Sequence, residues 1–508
     1  MYGIVCAAWM GHRRFLRTAA AWACEDSGTM NGVDGTTKAE QQLRRQLGLR
    51  DLVLSQVLCV VGTMWVGVAA GLGKAQTLLW LGAMAVFYLP MAGSVIALNR
   101  AMPLEGGLYV WAHKAFGNLG GFLTAWNLWF YGIAVTASIL YGIPSELAYL
   151  IGPKAAWLPE SRMVSIAIVA VLIVLLTAAE IRGLEIGKWI HNAGAVAIMA
   201  VFVALIGLGP WAVMRHVPVH WTPLSFQIPP HDLRTMALFG QMMFGALCGL
   251  EYIAILAGES KSPERTITKS VWIASPIICL MFILGTGTVV AFVPKEQINF
   301  IAPIPQTLRI ALGNEGAGNL FAMTAILLLQ MRLLGAVSYL MTGVSRLPLA
   351  VGWDALIPAW FTRLHKRWNT PTNSILCTSG LLFVMIVLAT TGVHAQEAFQ
   401  VLSNASLTHY EVSYLVMFAI PLVGAAGLRR TLPRWLKWTS VVGLGATLFS
   451  LLISAYPFVS VVNPLSYAVK IVGTLLLSNL VAITFYKMRT RPVGVRAVAE
   501  NTGLETEG

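Results

Sequence analysis

The chain has 508 residues, of which 57% are hydrophobic and only 11% charged, with 17 tryptophans. A soluble domain carries about 25% charged residues, so a water-soluble fold is excluded for most of this chain and its bulk solvent is lipid. The formal net charge of +13 is therefore read by position along the chain rather than as a nucleic-acid footprint.

Residues 1–50 read as a cytoplasmic N-terminal segment. Positions 1–29 mix "CAAW", "GHRRF" and "AAAWACEDSG" without a period, in the wrong order for a cleaved signal. The polar leader "MNGVDGTTKAEQQLRRQLGLRD" predicts that translation starts near Met30 and that 1–29 is an upstream extension. Apolar stretches near the length of a spanning helix, about 20 residues, then follow. Their predicted limits are Leu52–Leu72, Thr77–Ala97, Gly120–Tyr141, Val164–Ala178, Ile190–Leu208 and Met236–Leu256 in the first half. The second half adds Val271–Val293, Leu320–Thr342, Ile375–Thr390, Phe399–Leu422, Trp438–Ala455 and Tyr467–Tyr486. Of the 35 Lys and Arg, 26 fall on the side of the two termini and seven on the other. That asymmetry predicts twelve spans in the cytoplasmic (inner) membrane, with both ends cytoplasmic. The expected fold class is an all-α integral membrane protein in a lipid bilayer.

Six cysteines, at 6, 24, 59, 248, 279 and 377, form no C-x-x-C pair and read as small membrane residues. No zinc-protease, P-loop or nucleophile-elbow pattern occurs. His216, His220 and His231 are spaced irregularly between Trp and Pro, which predicts a surface loop rather than a metal site. No enzyme, cofactor, metal or nucleic-acid partner is expected.

Gly62, Gly67 and Gly71 in the first span repeat the spacing of Gly240, Gly245 and Gly249 in the sixth. The two spans enter from opposite sides, a relation that inverted repeats produce. Each glycine costs about 1 kcal/mol of helix stability relative to Ala, and unwound backbone is tolerated in lipid only beside a cavity or other protein. Freed peptide groups there hold a ligand's carboxylate and ammonium. Tight helix packing through Gly245-x-x-x-Gly249 is the other reading.

Four stretches carry a family resemblance: "LNRAMPLEGGLYVWAHKAFGNLGGFLTAW" (98–126), "EIRGLEIGKWIHN" (180–192), "FGALCGLEYIAILAGESKSPERTI" (244–267) and "SRLPLAVGWDALIPAWFTRLHKRWNTP" (345–371). In order and spacing they resemble the amino acid–polyamine–organocation (APC) superfamily of secondary transporters. The resemblance implies a LeuT-type five-plus-five inverted repeat over 51–423, broken helices 1 and 6, two extra helices over 424–486 and a cytoplasmic tail over 487–508. It implies a substrate site at the two breaks, carried by Gly62, Thr63, Met64, Trp65 and Gly67, and by Phe244, Gly245, Ala246, Cys248 and Gly249. In "GESKSPERT" it places Glu259 at the cytoplasmic end of helix 6, with Lys261, Arg265 and Lys269 after it. The stretch "GTMWVGVAAG" departs from the family's glycine-dense G-S-I-I-G-S-G, so the backbone site carries over and the substrate does not. Trp65 either covers the substrate or packs.

An ionisable group at membrane depth costs about 2.5–3.5 kcal/mol on insertion scales, so each needs a reason. Glu251 either takes a coupling proton or locks the sixth span as a structural acid. His409 and Glu411 in "LTHYEVSY" form a proton relay or face a wet vestibule. Arg332 neutralises Glu251 or Glu411, binds an anionic substrate group, or sits in a solvated groove. Lys188 begins the fifth span and either replaces a sodium ion, as a lysine does in some APC members, or snorkels. Ser338 and Thr342 are the candidate hydroxyls for sodium. The expected function is a secondary active transporter, symporter or exchanger, of amino acids or close derivatives, coupled to protons or a counter-substrate. A polyamine or organic-cation transporter and a non-transporting amino acid sensor are the alternatives.

Overall fold

The structure, a computed structural model, describes residues 49–102, 107–182, 187–219, 221–251, 263–350, 359–365, 367–368 and 370–489, and every regular element among them is helical. The Met30 start, Glu105 and Gly106, His220, Glu259, Lys261 and the tail beyond 489 lie outside the described residues.

The first span is interrupted. α1 covers Leu49–Val60 and α2 covers Thr63–Ala70. Between them Gly62 takes extended backbone, φ −101° and ψ 138°. The second span, α3 (Gln76–Ala83) and α4 (Leu89–Ala101), runs through a π-helical turn at Met84–Tyr88. Pro90, which has no N–H to give the ladder, follows that turn directly. α5 covers Leu108–Ile151 but bends at Gly117, φ 76°, so a short lead-in precedes the span proper. α6 (Arg162–Arg182) and α7 (Gly187–Met214) follow. α6 and the later α13 (Thr372–Ala389) are 21 and 18 residues long; α6 extends past its short predicted limits at both ends and α13 past its N-terminal one.

The sixth predicted span also leaves the helix partway: α8 covers Leu233–Leu247, and 248–251 are not helical. Then come α9 (Pro263–Phe292), α10 (Pro303–Leu312) and α11 (Gly316–Ala350). α12 (Ala359–Thr362) precedes α13, and α14 (Ala395–Val423), α15 (Ala426–Thr431), α16 (Trp435–Ile453) and α17 (Pro464–Arg489) complete the chain. Among the described residues, ten helices are long and apolar enough to cross a membrane. The first predicted span is absent from that ten because it is divided into two short helices, and the sixth because α8 ends at Leu247.

α14 lies along α5 and α16 and is the most polar of the buried helices; Gln400, Ser403, Asn404, Thr408, His409 and Glu411 are all buried on it. The outer faces are apolar instead: Val174 on α6 and Leu476 on α17 are 65% and 64% exposed. Such a polar-in, apolar-out arrangement suits a lipid surround. The loop before α8, expected at the surface, is partly tucked in. A Cβ at Gly209 of α7 would overlap the Trp221 indole, and one at Gly287 of α9 would lie 2.9 Å from Pro223 Cα. The Pro223 carbonyl accepts from Gln76 Nε2 at 3.3 Å and Thr77 Oγ1 at 3.1 Å on α3.

Candidate functional site

Trp65 sits between the two interruptions. A Cβ at Gly62 would lie 2.7 Å from Trp65 Cδ1, and one at Gly245 would overlap the far edge of the same indole. Both glycines therefore leave room for one large ring. Three of the other four glycines of the two triplets pack. A Cβ at Gly67 would meet Pro303 Cγ of α10 at 2.8 Å, one at Gly71 Phe300 at 3.1 Å, and one at Gly240 Ile453 Cγ2 of α16 at 2.7 Å. The equal spacing also fails to align the interruptions. Backbone leaves the helix at the first glycine of one triplet and around the third of the other.

Past α8, Gly249 has φ 106°, backbone that L side chains rarely adopt. Its N–H donates to the Tyr414 hydroxyl at 2.8 Å. Tyr414 then donates to one oxygen of Glu251, and Tyr410 donates to the other. Glu251 is 2% exposed. Phe244 closes this cluster, its ring 5.1 Å from Tyr414 and 5.9 Å from Tyr410. Tyr131 of α5 stacks on Tyr410 at 4.0 Å. Glu251 is thus held on both oxygens by scaffold tyrosines and braces the chain at the second interruption.

A small crevice, with room for about one water, lies beside Trp65. Met64, Trp65 and Val68 of α2, Gln241 of α8, Gln396, Phe399, Gln400 and Ser403 of α14, and Phe300, Phe458 and Val459 line it. Gln241 Nε2 donates to Ser403 Oγ at 3.0 Å, and Gln400 Oε1 accepts from Val459 N at 3.4 Å. Gln400 Nε2 is buried without a partner. None of the described lining residues is ionisable. Of the ten predicted binding residues, only Met64 and Trp65 reach this crevice. Gly62, Thr63, Gly67, Phe244, Gly245, Ala246, Cys248 and Gly249 shape the two interruptions or pack behind them.

The model of the family described as amino acid permease matches residues 52–478. The chain belongs to that family, within the APC superfamily. An uncharacterized transporter of Legionella pneumophila is 26% identical to the permease over 74% of this chain and 80% of its own. A gamma-aminobutyric acid permease of Bacillus subtilis is 23% identical over 91% and 97%. A probable agmatine/putrescine antiporter of Lactococcus lactis is 23% identical over 72% and 78%. The permease is a multi-pass membrane transporter.

The predicted relay between His409 and Glu411 is not formed. Two residues apart on a helix, they face different neighbours. His409 Nδ1 lies 2.7 Å from Ala405 O and Nε2 2.5 Å from Ser478 Oγ of α17, and the ring stacks on Phe130 at 4.0 Å. A carbonyl only accepts, so the ring proton is on Nδ1. Glu411 turns to α16, where Ser450 Oγ is 2.5 Å from its Oε1.

Arg332 neutralises neither Glu251 nor Glu411 by contact. Its Nη2 donates to Val61 O at 3.3 Å, a carbonyl freed by the first interruption. The carboxyl group within its field is Glu146 of α5, 3% exposed, which accepts from Gln330 Nε2 at 2.9 Å. Thr342 Oγ1 donates to Ser338 O at 2.9 Å within α11. Lys188 lies in the first turn of α7, and its side chain is outside the described residues.

Sequence reasoning missed Glu146, Gln241, Gln400 and Ser403. A signal existed for α14: Gln400, Ser403, Asn404 and Glu411 recur at helical spacing within an apolar span. Glu146, an acid in the largely apolar run "YGIPSELAYL" just past the third predicted span, is buried.

Proposed function

We propose that the permease is a secondary active transporter of neutral amino acids or close derivatives. The observation that carries this reading is an uncharged, aromatic crevice set against two interrupted spans. At the first interruption the N-terminal N–H groups of α2 are free of helical partners, a favourable place for a carboxylate. At the second, the Phe244 and Gly245 carbonyls accept from Cys248, and those of Ala246 and Leu247 lie past the last helical hydrogen bond and favour an ammonium. A zwitterion fits that pair, with its side chain toward Trp65 and the crevice. A polyamine finds no carboxylate among the described lining residues, and both oxygens of Glu251 are already engaged. Polyamine exchange is the second reading, favoured by the agmatine/putrescine antiporter among the relatives.

In this reading the two interrupted spans complete a set of twelve. The first ten form a five-plus-five inverted repeat over 51–423, and 424–486 adds the last two. Lys and Arg distribution supports termini on the cytoplasmic side of the inner membrane. Alternating access moves the first, second, sixth and seventh spans against the rest. Uptake into proteoliposomes tests the reading, with a pooled panel of labelled neutral amino acids and with putrescine. Accumulation of an amino acid, driven by a gradient or by preloaded substrate, is expected. Putrescine flux alone moves the assignment to polyamines. Saturable amino acid binding without flux makes the protein a sensor.

A further inference from the structure

Glu411 is 1% exposed in the middle of α14. Its Oε1 lies 2.5 Å from Ser450 Oγ of α16, and that same Oγ lies 3.0 Å from Gly240 O of α8. Three oxygens in a row share whatever hydrogens they carry. Serine supplies one hydrogen, and a backbone carbonyl supplies none. With Glu411 ionised, carboxylate and carbonyl compete for that one hydrogen. If the serine gives it to Gly240, two oxygens approach within 2.5 Å with nothing between them. If it gives it to Glu411, the contact to Gly240 is empty.

With Glu411 as a carboxylic acid the row is complete. The acid O–H donates to Ser450 Oγ, and Ser450 O–H donates to Gly240 O. The remaining oxygen, Oε2, is buried without a partner. That is a modest cost for the carbonyl oxygen of a neutral acid and a severe one for half of an unpaired carboxylate.

The row ends on α8, the helix that also supplies Gln241 to the crevice. We propose that Glu411 is a proton-binding site that fastens α8 to the α14–α16 scaffold, and that its proton leaves when α8 moves off Ser450. A proton is then taken up with α8 docked and released with α8 displaced, which makes Glu411 the coupling residue. This rests on the transporter reading.

The neighbouring charges leave the site isolated. α16 carries Lys437 in its first turn and α8 carries Arg234, which donates to Phe458 O at 3.0 Å. Arg100 is at the exposed end of α4. Beyond α8, the Cys248 thiol is within the field of Glu411, and Glu251 is held by its two tyrosines. On α14, Glu397 accepts from Val462 N at 2.9 Å and His409 faces α17. α5 meets α14 through Phe130 and Tyr131, on His409 and Tyr410.

Difference infrared spectra of wild type and Glu411→Gln in lipid test the proton directly. A protonated-carboxyl stretching band at neutral pH, lost in the variant, is expected. A wild type without that band overturns the proposal. The glutamine amide still donates to Ser450, so the variant keeps the row and mimics the loaded state. It is expected to exchange preloaded substrate while losing proton-driven accumulation of labelled neutral amino acids. Undiminished proton-driven accumulation in Glu411→Gln, or wild-type uptake indifferent to the gradient, overturns the coupling role. A band present in a protein that moves no amino acid defeats the transporter reading and leaves the proton on Glu411.

Discussion

A single indole explains two glycines that the sequence could assign only to unwinding or to packing. Gly62 and Gly245 both border Trp65, so a methyl group at either must displace a ring that lines the crevice. Overpacking of this kind costs about 1–3 kcal/mol. Gly245→Ala is expected to weaken substrate binding by about tenfold or more, the equivalent of about 1.4 kcal/mol. Adding Trp65→Phe should recover part of it, as read by equilibrium binding to purified protein. The Glu251 cluster makes a second prediction. Tyr414→Phe strips a partner from both Gly249 N–H and Glu251, whereas Tyr410→Phe strips only one. At about 1–3 kcal/mol for each buried group left unpaired, Tyr414→Phe should lower the thermal midpoint more than Tyr410→Phe. Equal effects would show that the Gly249 contact contributes nothing. Glu251 was legible as an acid in an apolar run. The tyrosines were not, because two aromatics at i and i+4 say which face they share and nothing about where their hydroxyls end.

At the scale of elements, the interrupted spans were legible and the mechanism behind their glycines was not. Gly67, Gly71 and Gly240 seat neighbouring side chains, while Gly249 holds a backbone angle. Spacing alone cannot separate a glycine chosen for its missing Cβ from one chosen for its φ. The two uses predict different phenotypes. Gly240→Ala should destabilise the protein by about 1–3 kcal/mol and leave substrate affinity of the folded fraction unchanged. Gly249→Leu should abolish binding in a protein that still inserts; retained affinity would sink the role of the second interruption. The start of α8 is secured by Asp232, whose Oδ1 accepts from Thr235 N at 2.8 Å. That backbone hydrogen bond holds the Asp232 carboxyl below its usual range. A lowered folded value means the cap's contribution is present above the unfolded carboxylate range. It is lost as pH falls through the folded value. Asp232→Ala should cost about 1 kcal/mol at neutral pH and nothing once acid has already released the cap. Thermal melts of both proteins across that range would reveal it.

For the whole molecule, composition was enough to name lipid as the solvent, and loop charge was enough to propose an orientation. Pairing between distant helices was not written in either. That Arg332 reaches a freed carbonyl of the first span, or that Glu411 reaches α8 through Ser450, depends on crossing angles that no local pattern encodes. Orientation is open to direct test. Single cysteines at Glu160 and Thr431, in a background lacking the six native ones, sit between different pairs of spans. An impermeant thiol reagent added to intact cells is expected to label Glu160→Cys and spare Thr431→Cys. The reverse pattern would invert the proposed topology. The loop before α8 bears on how far any such molecule can open. Trp221 is wedged over Gly209 of α7, and two residues later Pro223 is pressed to Gly287 of α9 and bonded to α3. Two residues of chain reach about 7 Å at full stretch. The loop is thus a tether with almost no slack between helices of different groups. An excursion beyond that length at this end must first pull one of the two plugs from its socket.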